Sequence, residues 1–108
     1  IGYDSVDYGF VQKTVSLVGT LSGTVQMQKT REDGRDRLTV RVETEATAKD
    51  RARLAKALES AIVGRRPTLR KAVGEGTVWP LRVELVKPDS LERNARTGKL
   101  IRVIDAPR

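Results

Sequence analysis

Cysteine and histidine are both absent from these 108 residues. Without cysteine there is no disulfide and no thiol nucleophile. Without histidine there is no Ser-His-Asp triad and no Cys-His pair, and the usual zinc sites, which are centred on imidazole or thiolate, are excluded as well. Any chemistry must rest on Lys, Arg, Asp, Glu, Tyr, Ser or Thr, and no metal site is expected. Aromatics are scarce, with one Trp, one Phe and two Tyr. No apolar run approaches the ~20 residues that a membrane-spanning helix needs, so no membrane partner is expected and the cytoplasm is the default location. The first thirty residues also lack the basic start, apolar centre and small-residue cleavage site of a signal peptide. With Ile1 in place of a methionine, the chain reads as one domain, residues 1–108, excised from a larger protein.

What is abundant is positive charge. Lys and Arg number 21 against 14 Asp and Glu, a formal +7. Seven of the cations precede residue 50, seven lie from Arg51 to Lys71, and seven follow. Such a surface attracts anions of any kind through its long-range field, without choosing among nucleic acid, membrane and phosphorylated ligands.

Hydrophobic periodicity divides the chain. Tyr3 to Val11 holds three of the aromatics and reads as a short strand leading into a helix through Val11, Val15 and Val18. Val25 and Met27 alternate with polar neighbours, as do Leu38, Val40 and Val42, with Asp33-Gly34 in the polar loop between them. This is the pattern of a β-hairpin. Thr47 with Asp50 resembles a capping box, and Leu54, Leu58, Ala61 and Ile62 form one apolar face until Gly64 signals a stop. Pro67, Gly74 and Gly76 punctuate a connection with one helical turn at Leu69 to Val73. Val78 to Val86 then alternates as a strand that ends at Pro88. The order strand-helix-strand-strand-helix-strand predicts an α+β, ferredoxin-like βαββαβ domain, an antiparallel sheet with helices on one face. A basic tail from Leu91 is expected to lie beyond that core.

The tail carries the chemistry. Gly98-Lys99 is not a phosphate-binding P-loop, which requires a glycine where Arg93 stands and a Ser or Thr where Leu100 stands. What remains is a lysine after a flexible glycine, followed by Leu100, Ile101, Val103 and Ile104, apolar residues able to dock the tail's end and leave Lys99 projecting.

Several stretches together, Asp36-Arg-Leu-Thr-Val-Arg-Val-Glu43, Val83-Glu-Leu-Val-Lys-Pro88, Ser90-Leu91, Arg93 and Gly98-Lys99 through Arg102-Val103-Ile104-Asp105, resemble the carboxy-terminal domain of phenylacetate-coenzyme A ligases, members of the adenylate-forming superfamily. The resemblance spans roughly Gly23 to Asp105. The lysine segment lacks a proline found in the family's L-P-R-S-x-G-K and is two residues longer. The resemblance implies a parent enzyme that uses ATP and Mg2+ to convert a carboxylic acid, aryl or alkyl, into an acyl-adenylate, then passes the acyl group to coenzyme A or a carrier-protein thiol. Lys99 would be the lysine brought to the active site for adenylation. Gly98 and Arg102 would accompany it, Arg93 and Arg96 could assist with phosphates, and Asp4 would be the hinge residue. Substrates would be held mainly by a large amino-terminal domain, and the small domain alone would be inactive.

Two other classes share the predicted element order. An RNA-recognition module would need aromatics on its third strand, and Leu38 to Glu43 has none, while Tyr8-Gly9-Phe10-Val11 stands in the wrong place. A small-ligand regulatory domain would leave the terminal motif unexplained. Tyr3 and Trp79 read as packing residues.

Overall fold

The computed structural model describes residues 6–18, 21 and 24–106, with the side chains of residues 105 and 106 outside the description. Helix α1 (Tyr8–Val15) is followed by strands β1 (Val25–Glu32) and β2 (Arg35–Glu43), helices α2 (Ala48–Gly64) and α3 (Pro67–Gly74), and strands β3 (Arg82–Val86) and β4 (Val103–Ala106). The fold is α+β, a four-stranded sheet with three helices, consistent with a ferredoxin-like domain.

The β1–β2 hairpin turns at Asp33 (φ 50°) and Gly34 (φ 78°), with Glu32 paired to Arg35. Two left-handed residues in succession match the right-handed twist of the flanking strands, which is why Asp-Gly occurs there. The register sets Val25 opposite Val42 and Met27 opposite Val40. The apolar face thus meets α1 through Val11 and Val15 and α2 through Leu54, Leu58 and Ile62, all in one core. At about 1.5–3 kcal/mol for each large aliphatic removed from water, this helix-on-sheet layer is the main source of stability.

Helix α2 begins where Thr47 Oγ1 accepts the Asp50 N–H at 3.4 Å. It stops at Gly64, but Gly64 has no left-handed backbone. The break is made by Arg66, which is held out of the helical region (φ −132°, ψ 82°) ahead of Pro67 at the first turn of α3. A full eight-residue helix follows where one turn was expected.

Four expectations are corrected. Tyr8 to Val11 is helical, because Asp7 caps α1 by accepting the Phe10 N–H at 2.8 Å. Residues 3–5 of the expected leading strand lie outside the description. The strand expected over Val78–Val86 is regular only from Arg82, although Val78 and Leu81 are buried. The tail does not lie beyond the core. Leu91 is buried, and the chain from Val103 enters the sheet beside β1. The sheet order is β3-β2-β1-β4, with β1–β2 antiparallel and both outer pairs parallel, so it is mixed rather than antiparallel throughout. The reason is topological: β3 returns after a helical crossover, the connection that parallel neighbours require.

Candidate functional site

Lys99 sits on a tight hairpin between β3 and β4, whose two legs meet at Glu92 and Ile101. Asn94 organises it. The Asn94 N–H donates to Lys99 O, and the Gly98 N–H donates to Asn94 O, both at 2.8 Å. The Asn94 side-chain oxygen accepts the N–H groups of Arg96 (2.9 Å) and Thr97 (3.2 Å). Thr97 Oγ1 accepts the Lys99 N–H at 3.3 Å. Gly98 closes the turn with φ +71°, a conformation costly for any residue with a Cβ. Arg93 and Leu100 bridge the two legs. Lys99 is exposed, and among the described residues nothing pairs with its ammonium. The hairpin therefore presents a fixed backbone and an uncommitted cation.

Its roots are pinned to the face of the sheet opposite the helices. Gln26 of β1 is wholly buried, and its Nε2 donates to Ile101 O at 2.8 Å and to Glu92 O at 3.1 Å. The Ile101 N–H also donates to Glu92 O, and the Met27 N–H donates to Arg102 O, where the β1–β4 ladder begins. Glu43, buried at the end of β2, accepts the Leu91 N–H through Oε2 at 3.4 Å. Sequence reasoning missed Asn94, Gln26 and Glu43. An Asn four residues before a Gly is a turn signal that could have exposed the first, whereas the other two look like solvent-facing positions of their strands.

The remaining predicted residues are distributed as follows. Gly98 and Arg96 share the turn with Lys99, and no described group pairs with the exposed Arg96. Arg93 leans toward Glu43 (3.9 Å) and Asp89 (3.7 Å), so its guanidinium is partly engaged within the domain. Arg102 is exposed, with its guanidinium 5.5 Å above the Tyr8 ring. Asp4 and Tyr3 lie outside the described residues. Arg93, Arg96, Lys99 and Arg102 recur every third residue along the tail. No group of three or more acidic side chains converges among the described residues.

Two shallow clefts, of about 330 Å3 at Glu59, Ser60, Val63, Gly64 and Arg70 and about 370 Å3 at Arg31 to Gly34, do not involve Lys99. The few described aromatics are committed elsewhere. The Tyr8 hydroxyl donates to Val25 O at 2.8 Å, Arg66 lies 3.7 Å above the Phe10 ring, and Trp79 Nε1 donates to Glu32 O at 2.6 Å with Arg35 4.6 Å over its ring. No described strand carries an aromatic, so the sheet offers no platform for stacking nucleobases. Among the described residues no helix is long and apolar enough to cross a membrane.

The chain is thus a small α+β domain that displays, on a braced hairpin, a lysine with no partner among the described residues and outside the two clefts named above. Comparison with known proteins places it more closely. The model of the AMP-binding enzyme C-terminal domain matches residues 10–107, and the chain belongs to that family. Among solved structures, a domain of phenylacetate-coenzyme A ligase from Bacteroides vulgatus ATCC 8482 is similar at 23% identity, covering 91% of this chain and 81% of that one with a TM-score of 0.55. The copper form of the MamM CTD is similar at 14% identity, covering 98% and 90% with a TM-score of 0.56. At these identities the two structures speak for the fold alone. A search of curated proteins finds no significant match.

Proposed function

We propose that this domain supplies Lys99 to the adenylation half-reaction of an acid–thiol ligase of the phenylacetate-coenzyme A ligase type. A carboxylate oxygen attacks the α-phosphorus of ATP, forming the acyl-adenylate anhydride bond and breaking the α–β bond, and pyrophosphate departs. The acyl group then passes to the thiol of coenzyme A or a carrier protein. Attack brings two anions together and accumulates negative charge in the transition state, which an ammonium already in place stabilises without reorganisation. Loss of one such group typically raises a barrier by roughly 3–4 kcal/mol. Large-domain residues would hold ATP, acid and Mg2+, and this domain by itself would be inactive.

The observation that carries this reading is the exposed, unpaired Lys99 on a hairpin cross-braced at both legs, within a chain of the AMP-binding enzyme C-terminal family. The test is carboxylate-dependent ATP–pyrophosphate exchange by the full-length protein that contains this domain, across a panel of aryl and alkyl acids. Lys99→Ala should lose exchange and still transfer a preformed acyl-adenylate to a thiol. Exchange that is absent for every acid, or untouched by the substitution, would reject the proposal.

A further inference from the structure

We infer that Gln26 is a positioning residue for Lys99: from a central strand its amide holds the carbonyls of both legs of the lysine hairpin and so sets where the ammonium stands. This rests on the adenylation role proposed for Lys99. Gln26 pairs with Arg41 in the register of β1 and β2, on the face away from the helices, where a polar residue ordinarily meets water. Instead it is 0% exposed. Both hydrogens of its Nε2 are used, one toward Ile101 O on the returning leg and one toward Glu92 O on the outgoing leg. One side chain thereby ties the two legs to each other and to the sheet.

The orientation of that amide is dictated by its neighbours, because a flip would set Oε1 against two carbonyl oxygens. Oε1 itself is buried with no hydrogen-bond partner. An orphaned buried acceptor is destabilising, a cost set against the two bonds that the same amide donates. What the amide adds is a pair of donors aimed at the hairpin. Lys99 stands two residues from Ile101, on a turn whose own hydrogen bonds leave it little freedom, so a shift at the clamp passes to the lysine as a rigid displacement. A misplacement near 1 Å can lower a rate by about 10²-fold while leaving substrate affinity alone.

The test uses the full-length protein with Gln26→Leu and Gln26→Met, which keep volume and remove the donors. Lys99→Ala is the reference for the functional reading, and Thr39→Val is a control for a buried polar change on the same face of the sheet. Both Gln26 variants should lower kcat for ATP–pyrophosphate exchange by about 10- to 100-fold. KM for ATP and acid should stay within about twofold, and thioester formation from preformed acyl-adenylate should be unchanged. Thr39→Val should behave as wild type. If Lys99→Ala abolishes exchange and the Gln26 variants do not slow it, the lysine assignment stands and the positioning role falls. If both half-reactions fall together in folded Gln26 variants, the clamp is only structural. Should neither variant fold, Gln26 is a stability residue and the inference is overturned. Unimpaired exchange in Lys99→Ala removes the functional reading and this inference with it.

Discussion

Gly98→Ala isolates the contribution of the turn from that of the lysine. A Cβ at Gly98 would meet nothing within 4 Å, so the substitution brings no collision. Its whole effect comes from the left-handed backbone, φ +71°, which costs a residue with a Cβ about 1–2 kcal/mol. The alanine also stiffens the unfolded chain, offsetting roughly 0.4–1 kcal/mol. The net loss should be about 1 kcal/mol, read as a lower urea midpoint for the 108-residue chain. If the turn relieves the strain by leaving its native shape, the same free energy lowers the population that holds Lys99 in place, and exchange kcat should fall roughly fivefold with KM unchanged. Gly34→Ala is the matched control. Gly34 also has a left-handed backbone (φ +78°) and open space, with nothing within 4 Å of where a Cβ would stand, but it lies at the β1–β2 tip. It should lose similar stability and keep full exchange. Wild-type exchange in a destabilised Gly98→Ala, or equal slowing in both variants, would refute the link between turn shape and lysine placement.

Leu58→Ala removes a fully buried side chain from the helix–sheet core and should lower the unfolding free energy by about 2–5 kcal/mol, depending on how far the site collapses; a loss under about 1 kcal/mol in urea unfolding would contradict the packing described. Tyr8→Phe removes the donor to Val25 O and should cost about 1 kcal/mol near neutral pH. Burial pushes the Tyr8 phenol up, against the opposing charge of Arg102, so the folded state favours the neutral ring. That preference contributes stability below the ordinary tyrosine value of about 10 and is lost as pH rises past it. The gap between wild type and Tyr8→Phe should therefore narrow on the alkaline side, and a constant gap in pH-dependent urea unfolding would reject the assignment.

The parts of this fold legible in the sequence are those fixed by local rules. Asp33-Gly34 determines its hairpin through backbone conformation, and Leu54, Leu58 and Ile62 mark the buried stripe of α2 through spacing alone. Gly98-Lys99 is visible as a motif, although nothing local says what braces it. Tyr8 to Val11 misleads because aromatic and β-branched residues favour strands, while the decisive signal for a helix is one carboxylate, Asp7, at its start. The tail misleads for a different reason. A strand that joins a sheet beside a partner more than seventy residues earlier, as Val103 does beside Met27, leaves no turn chemistry between them to read.

Gln26 and Glu43 show the same limit at the site. Alternation correctly places both on the face away from the helices, but it cannot reveal that the tail later covers that face and turns two apparently hydrated side chains into the anchors of the lysine hairpin. Charge illustrates the complement. Cations are even along the chain when counted alone, yet residues 49–71 hold eight of them against two carboxylates. On the sheet, by contrast, Arg31, Arg37 and Arg41 pair with Asp36, Glu32 and Glu84. Most of the net +7 thus belongs to the helical layer, while the hairpin displays Arg96 and Lys99 with no partner among the described residues. The most basic stretch of the sequence and the proposed site are therefore different parts of the molecule. For the proposed chemistry the deciding quantity is a single ammonium held in position, and the residues that brace the backbone of its hairpin, Gln26 and Glu43, come from other strands, another charge class and a distant part of the sequence.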